Sequence, residues 1–166
     1  NHEVMCRTQS FLALLEASAD SATPTVWLSC FTDIANSIND GIEEVQAWLL
    51  CTENLERLGS MHRSLKLSLW PLEDRVEVQV AFTMCVCGLL RGRRGSQPLV
   101  LQELEQQLAK LRSRWHRGGG GGTSETEVET LLERVQALVG SLLPQEFVGG
   151  RPAAPPSPPP EAVAAA

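Results

Sequence analysis

The stretch Leu65-Lys-Leu-Ser-Leu-Trp-Pro-Leu-Glu-Asp-Arg-Val-Glu-Val-Gln-Val-Ala-Phe-Thr-Met-Cys-Val-Cys-Gly-Leu-Leu90 is compatible with two folds. Leu65, Leu67 and Leu69 alternate with Lys66 and Ser68. Beyond the break at Trp70-Pro71, Val76, Val78, Val80, Phe82, Met84 and Val86 recur at period two. Alternation of this kind predicts a β-hairpin over 65–86. The same residues predict a helix starting at Pro71, with Leu72, Val76, Val80, Thr83, Cys87 and Leu90 on one face. Glu73 and Asp74 then fall in its first turn, where the helix dipole favours acids. The valines lower helix propensity by only a few tenths of a kcal/mol each, roughly, and do not forbid it. A helix here makes the protein mainly α; a hairpin makes it α+β.

The flanks predict helices by simpler patterns. Phe11, Leu14, Leu15 and Ala19 form an apolar stripe on a helix from about Glu3 to Ala19. Thr23 followed by Pro24 is a helix start, with the threonine as N-cap and the proline at the first helical position. Trp27, Leu28, Phe31, Ile34, Ala35 and Ile38 follow at three- and four-residue steps. Asn39-Asp40-Gly41 interrupts them. Asp40 is placed to cap a further helix over 41–58 with the seam Val45, Trp48, Thr52 and Leu55, and Gly59 supplies a stop. Downstream, Leu101, Leu104, Leu108, Leu111 and Trp115 make a heptad-like ladder that ends at the glycine run 118–122. A last helix begins at Thr123 or Ser124 and carries Val128, Leu131, Val135, Leu138 and Leu142. Continuing the Trp115 register across the glycines would put Glu125 and Glu129 on the apolar seam, so this helix is expected to dock separately.

The organisation expected is an antiparallel helical bundle over 1–117, a glycine hinge over 118–123, an amphipathic helix over 124–143 and a disordered Pro/Ala-rich tail over 144–166. Trp48, Leu55, Leu104, Leu108, Leu111 and Trp115 are the expected core. Of the 166 residues, 43% are hydrophobic and 20% charged, which suits one globular domain. A net charge of -6 argues against nucleic-acid binding, which needs a concentrated positive field. No apolar run approaches the roughly 20 residues of a membrane span. The five cysteines sit mostly in apolar stretches and predict free thiols in a reducing compartment, cytoplasmic or nuclear. The chain begins at Asn1 rather than Met, so an upstream segment is expected.

Val45-Gln-Ala-Trp48-Leu-Leu-Cys-Thr-Glu53-Asn-Leu55 resembles the first helix of a spectrin repeat, and Leu101 to Trp115 resembles the start of its third. Glu73-Asp74-Arg75-Val76 is similar to a run in the middle helix, and the two tryptophans lie 67 residues apart, close to the family's spacing. The resemblance covers roughly residues 40 to 117. It implies a three-helix unit locked by its two tryptophans and a spacer or docking role in cytoskeletal linkers and signalling scaffolds, without catalytic residues.

Sites of chemistry are sparse. Cys85-Val-Cys87 lacks the second pair or nearby histidine that zinc requires, and reads as structural. His2, His62 and His116 are dispersed, so an enzyme would need one of them to meet a Cys, Ser or carboxylate in a cleft. No cofactor or metal is expected. Arg91, Arg93, Arg94, Lys110, Arg112, Arg114 and Arg117 form a basic cluster that reads as solvated surface. Pro152, Pro155 and Pro158 match a polyproline ligand of SH3 or WW domains. The function expected is a non-enzymatic scaffold or adaptor that meets protein partners through helical faces, Val128, Leu131, Val135, Leu138 and Leu142 among them. The alternative is an α+β subunit of an obligate complex, with the 65–86 hairpin completed by a partner.

Overall fold

The computed structural model describes residues 2–18, 22–91, 97–117 and 124–144. Within them the chain forms α1 (His2–Ala17), α2 (Pro24–Asn39), α3 (Glu43–Leu50), α4 (Thr52–Lys66), α5 (Leu72–Leu90), α6 (Pro98–Arg117) and α7 (Glu125–Leu142). No strand occurs among the described residues, and the α+β alternative gives way to a mainly α protein. The expected hinge over 118–123 and the tail from residue 145 lie outside the described residues.

The period-two pattern has a physical reason other than a strand. From Val76 to Leu90 every residue of α5 is buried except Glu77, Val80, Met84 and Gly88, which are half-buried. A helix apolar on all sides is a helix covered on nearly all sides, so apolar residues at every spacing, two included, are favourable on it. Each buried valine or phenylalanine contributes roughly 1.5–3 kcal/mol, several times the propensity cost of β-branching. Leu65 is buried in the last turn of α4, whereas Leu67 and Leu69 stand 79% and 98% exposed in the connection to α5. Leu72 and Val80, expected on the buried face, are both half-buried.

The main partner of α5 is α2. Phe31 meets Phe82 edge-on at 4.8 Å between ring centroids, and the Cys85 thiol donates to the Phe31 carbonyl at 3.1 Å. Further along, Gly88 lets Ile38 approach so closely that an added Cβ would lie 2.9 Å from its Cγ2. The two helices therefore run in the same direction, which departs from the antiparallel arrangement expected. An aromatic row continues from Phe31 through Trp27 (5.8 Å) to Trp70 (6.1 Å from Trp27). At its other end His62 stacks on Phe82 at 5.2 Å.

Two of the three side-chain caps expected form. Thr23 accepts from the Val26 N–H, and Ser124 accepts from the Glu127 N–H. Asp40 instead closes α2, its N–H donating to the Asn36 carbonyl, and Gly41 turns the chain with φ of 75°. The single helix expected over 41–58 is two helices. Cys51 is extended, and the Asn54 side chain donates to the Trp48 carbonyl at 2.7 Å, capturing an acceptor that a continuous helix would have used itself. Gly59, expected as a stop, is buried inside α4, where an added Cβ would lie 2.7 Å from the Pro144 carbonyl oxygen. It admits the chain leaving α7. On α1, Leu15 of the expected stripe is buried, Leu14 is exposed and Leu12, outside that stripe, is buried, while Ala19 lies outside the described residues.

Candidate functional site

Leu55, Leu104, Leu108 and Leu111 are buried, as expected of core residues. Trp48 and Trp115 are not; both are half-buried at the margin. Trp48 lies under the Arg57 guanidinium, 5.8 Å from its carbon, and Arg57 grips both carboxylate oxygens of Glu16 at 2.8 Å. The fully buried large aromatics are Trp27, Phe31 and Phe82. Of the α7 residues, Val128, Leu131 and Val135 are buried, and Leu138 and Leu142 pack partly buried against the core. The apolar face of α7 is thus turned inward onto α6, with further contacts to α5 and α4. Arg114 pairs with Glu127 across the α6–α7 seam.

Among the described residues no histidine meets a Cys, Ser or carboxylate in a cleft. His62 is buried, accepting from the Gln79 amide at 3.1 Å, and the same amide nitrogen donates to Thr83 at 3.1 Å. Burial, reinforced by the Lys66 charge, pushes its pKa down to about 4, so its imidazole is neutral at physiological pH. His2 lies 3.5 Å from the Cys6 thiol on the exposed surface of α1. The His116 side chain lies outside the described residues. Cys85 and Cys87 are buried, and burial raises both thiol pKa values, that of Cys87 to about 11, leaving them as neutral thiols. Among the described residues no group of three or more His, Cys, Asp or Glu is placed to hold a metal.

What the structure does bring together is a groove. From Val76 onward the half-buried residues of α5, Glu77, Val80, Met84 and Gly88, form a stripe at steps of three, four and four, which is one helical face. Alpha-2 walls it on one side through Leu28, Thr32 and Asn36, and α6 on the other through Arg112 and Trp115. This part encloses about 290 Å³. Met84 and Arg112 also line a second space of about 210 Å³, bounded by Asn39, Gly88, Glu105 and Leu108, so the two join end to end along α5. From Glu77 to Arg91 the floor spans fourteen residue steps, about 21 Å at 1.5 Å each. Leu28, Val80, Met84 and Trp115 are the half-covered apolar residues in it. Arg91 and Glu105 pair with each other at 2.8 Å at the far end. For Glu77 and Arg112 there is no ion pair among the described residues.

Compared with known proteins, the chain matches no family model, no curated protein and no solved structure. Among the described residues no helix is long and apolar enough to cross a membrane.

Proposed function

We propose that this chain is a non-enzymatic docking module that receives an amphipathic helix of another protein in the groove over α5. The observation that carries this is the stripe Glu77, Val80, Met84 and Gly88, where the otherwise enclosed central helix is left half-covered along one continuous face. A groove of about 21 Å accepts roughly four turns of a guest helix. Its apolar floor takes anchors at i, i+3, i+4 and i+7. Met84 suits such a floor because its unbranched thioether adapts to differing side chains. Docking of this kind is what an adaptor or scaffold needs, and the spectrin-like resemblance over 40–117 supports a linker setting in the cytoplasm or at the cytoskeleton.

The test is selection of 16-residue helical peptides from a display library on the folded protein, followed by amide and methyl shift mapping. Binders that shift Leu28, Val80 and Met84 methyls and the Trp115 indole, and that lose affinity in Met84→Asp, support the proposal. Binders that bypass these residues, or a library that yields none, refute it.

A further inference from the structure

Two charges of the groove have no ion pair among the described residues, and they say what kind of helix it takes. Glu77 on α5 lies in the half of the groove that holds Trp115, while Arg112 on α6 is level with Met84 at the junction of the two halves. Met84, which shares that junction with Arg112, lies seven residues along α5 from Glu77, roughly 10 Å of floor. No ion pair engages either one among the described residues, whereas Arg91 and Glu105 at the far end already satisfy each other. The wall contributed by α2 adds no charge, its polar groups being the neutral Thr32, Asn36 and Asn39. A guest whose apolar face covers the floor removes water from Glu77 and Arg112, and a charge desolvated without a partner costs more than one that is paired.

We infer that the guest helix carries a carboxylate and a basic side chain about seven residues apart beside its apolar stripe, the carboxylate set against Arg112 and the base against Glu77. The inference rests on the helix-docking function proposed above. It adds a consequence that an apolar groove alone lacks: the order of the two charges along the guest decides which way the guest lies. A guest with its acid first and one with its base first bind in opposite directions, because Glu77 and Arg112 are fixed at different heights on the floor.

The experiment uses three synthetic 16-residue helical peptides with one leucine stripe, differing only at two positions seven residues apart: Glu and Lys, Lys and Glu, or Gln and Gln. All three have the same net charge, so the -6 of the protein does not discriminate among them. Affinities are measured by titration at physiological salt, and a spin label on the peptide N-terminus reports direction through broadening of either the Trp115 indole or the Gly88 amide. Both charged peptides are expected to bind about fivefold tighter than the Gln peptide. The label is expected to switch ends when the order is reversed. In the combined variant Glu77→Gln with Arg112→Gln the three peptides are expected to bind alike and the label to stop switching ends with the order of the charges. Equal affinities, or one direction for both orders, overturns the inference and leaves the docking function standing. Failure of all three peptides to bind overturns both.

Discussion

Acidification is expected to unload the core through His62. This imidazole is 2% exposed, stacked on Phe82 and hydrogen-bonded by Gln79. Its pKa is lowered from 6.5 to about 4 in the folded protein. In the unfolded chain it takes up a proton as pH falls below about 6.5, while the native protein resists protonation until about pH 4. The unfolded state thus binds more protons between those values, and stability falls as pH falls through that window. At 1.36 kcal/mol per unit, the shift corresponds to about 3 kcal/mol in full, of which about 2 kcal/mol is lost between pH 7 and pH 5. The assay is urea unfolding followed by circular dichroism at several pH values, on the wild type and on His62→Gln, which keeps an acceptor for Gln79 but does not titrate. Carboxylates affect both proteins alike, so the difference between the two curves isolates the histidine. The variant's stability should gain on the wild type by about 2 kcal/mol from pH 7 to pH 5. Parallel curves over that range would refute the account of a neutral, buried imidazole.

Other substitutions test the packing. Gly59→Ala should lower stability by about 1–2 kcal/mol in denaturant unfolding, because the new Cβ meets the Pro144 backbone. Gly140→Ala in α7, with nothing within 4 Å of its added Cβ, should instead gain up to about 1 kcal/mol from helix propensity. Thr23→Ala and Ser124→Ala should each cost about 1 kcal/mol through the lost cap, and rescue by serine at position 23 and threonine at 124 separates capping from packing. Leu69→Ser, at a side chain 98% exposed, should leave the melting temperature unchanged within about 0.5 kcal/mol of stability.

Features governed by local chemistry were legible in the sequence. Thr23 and Pro24 announce α2 because cap and first turn lie in adjacent residues, and the α6 ladder buries the leucines that its spacing indicates. The break at Cys51 was not legible, because it depends on the Asn54 side chain taking the Trp48 carbonyl, a choice that the apolar seam does not encode. Alpha-5 was ambiguous because a period-two pattern arises equally from a strand with one buried face and from a helix buried nearly all round. The groove requires α2 and α6, far apart in sequence, to stand on either side of α5 without closing over it. Its parts were nevertheless visible singly. Leu28, Val80 and Trp115 each belong to an apolar seam, and each is a seam member that the protein's own core leaves half-covered.

The enclosure of α5 also bears on how this protein fails. Val76 through Val86 has strong β propensity and little charge, the composition that favours intermolecular cross-β pairing once it is solvent-exposed. Its helical state depends on cover from α2, whose Phe31 lies 54 residues before Cys85, and on α6 and α7, which are synthesised after it. Until these converge, or whenever a destabilising change lifts one of them away, the segment is free to take the extended form that its alternation permits. Aggregates of weakened variants should therefore grow from this helix, with amyloid-like strand order in residues that are helical in the native protein.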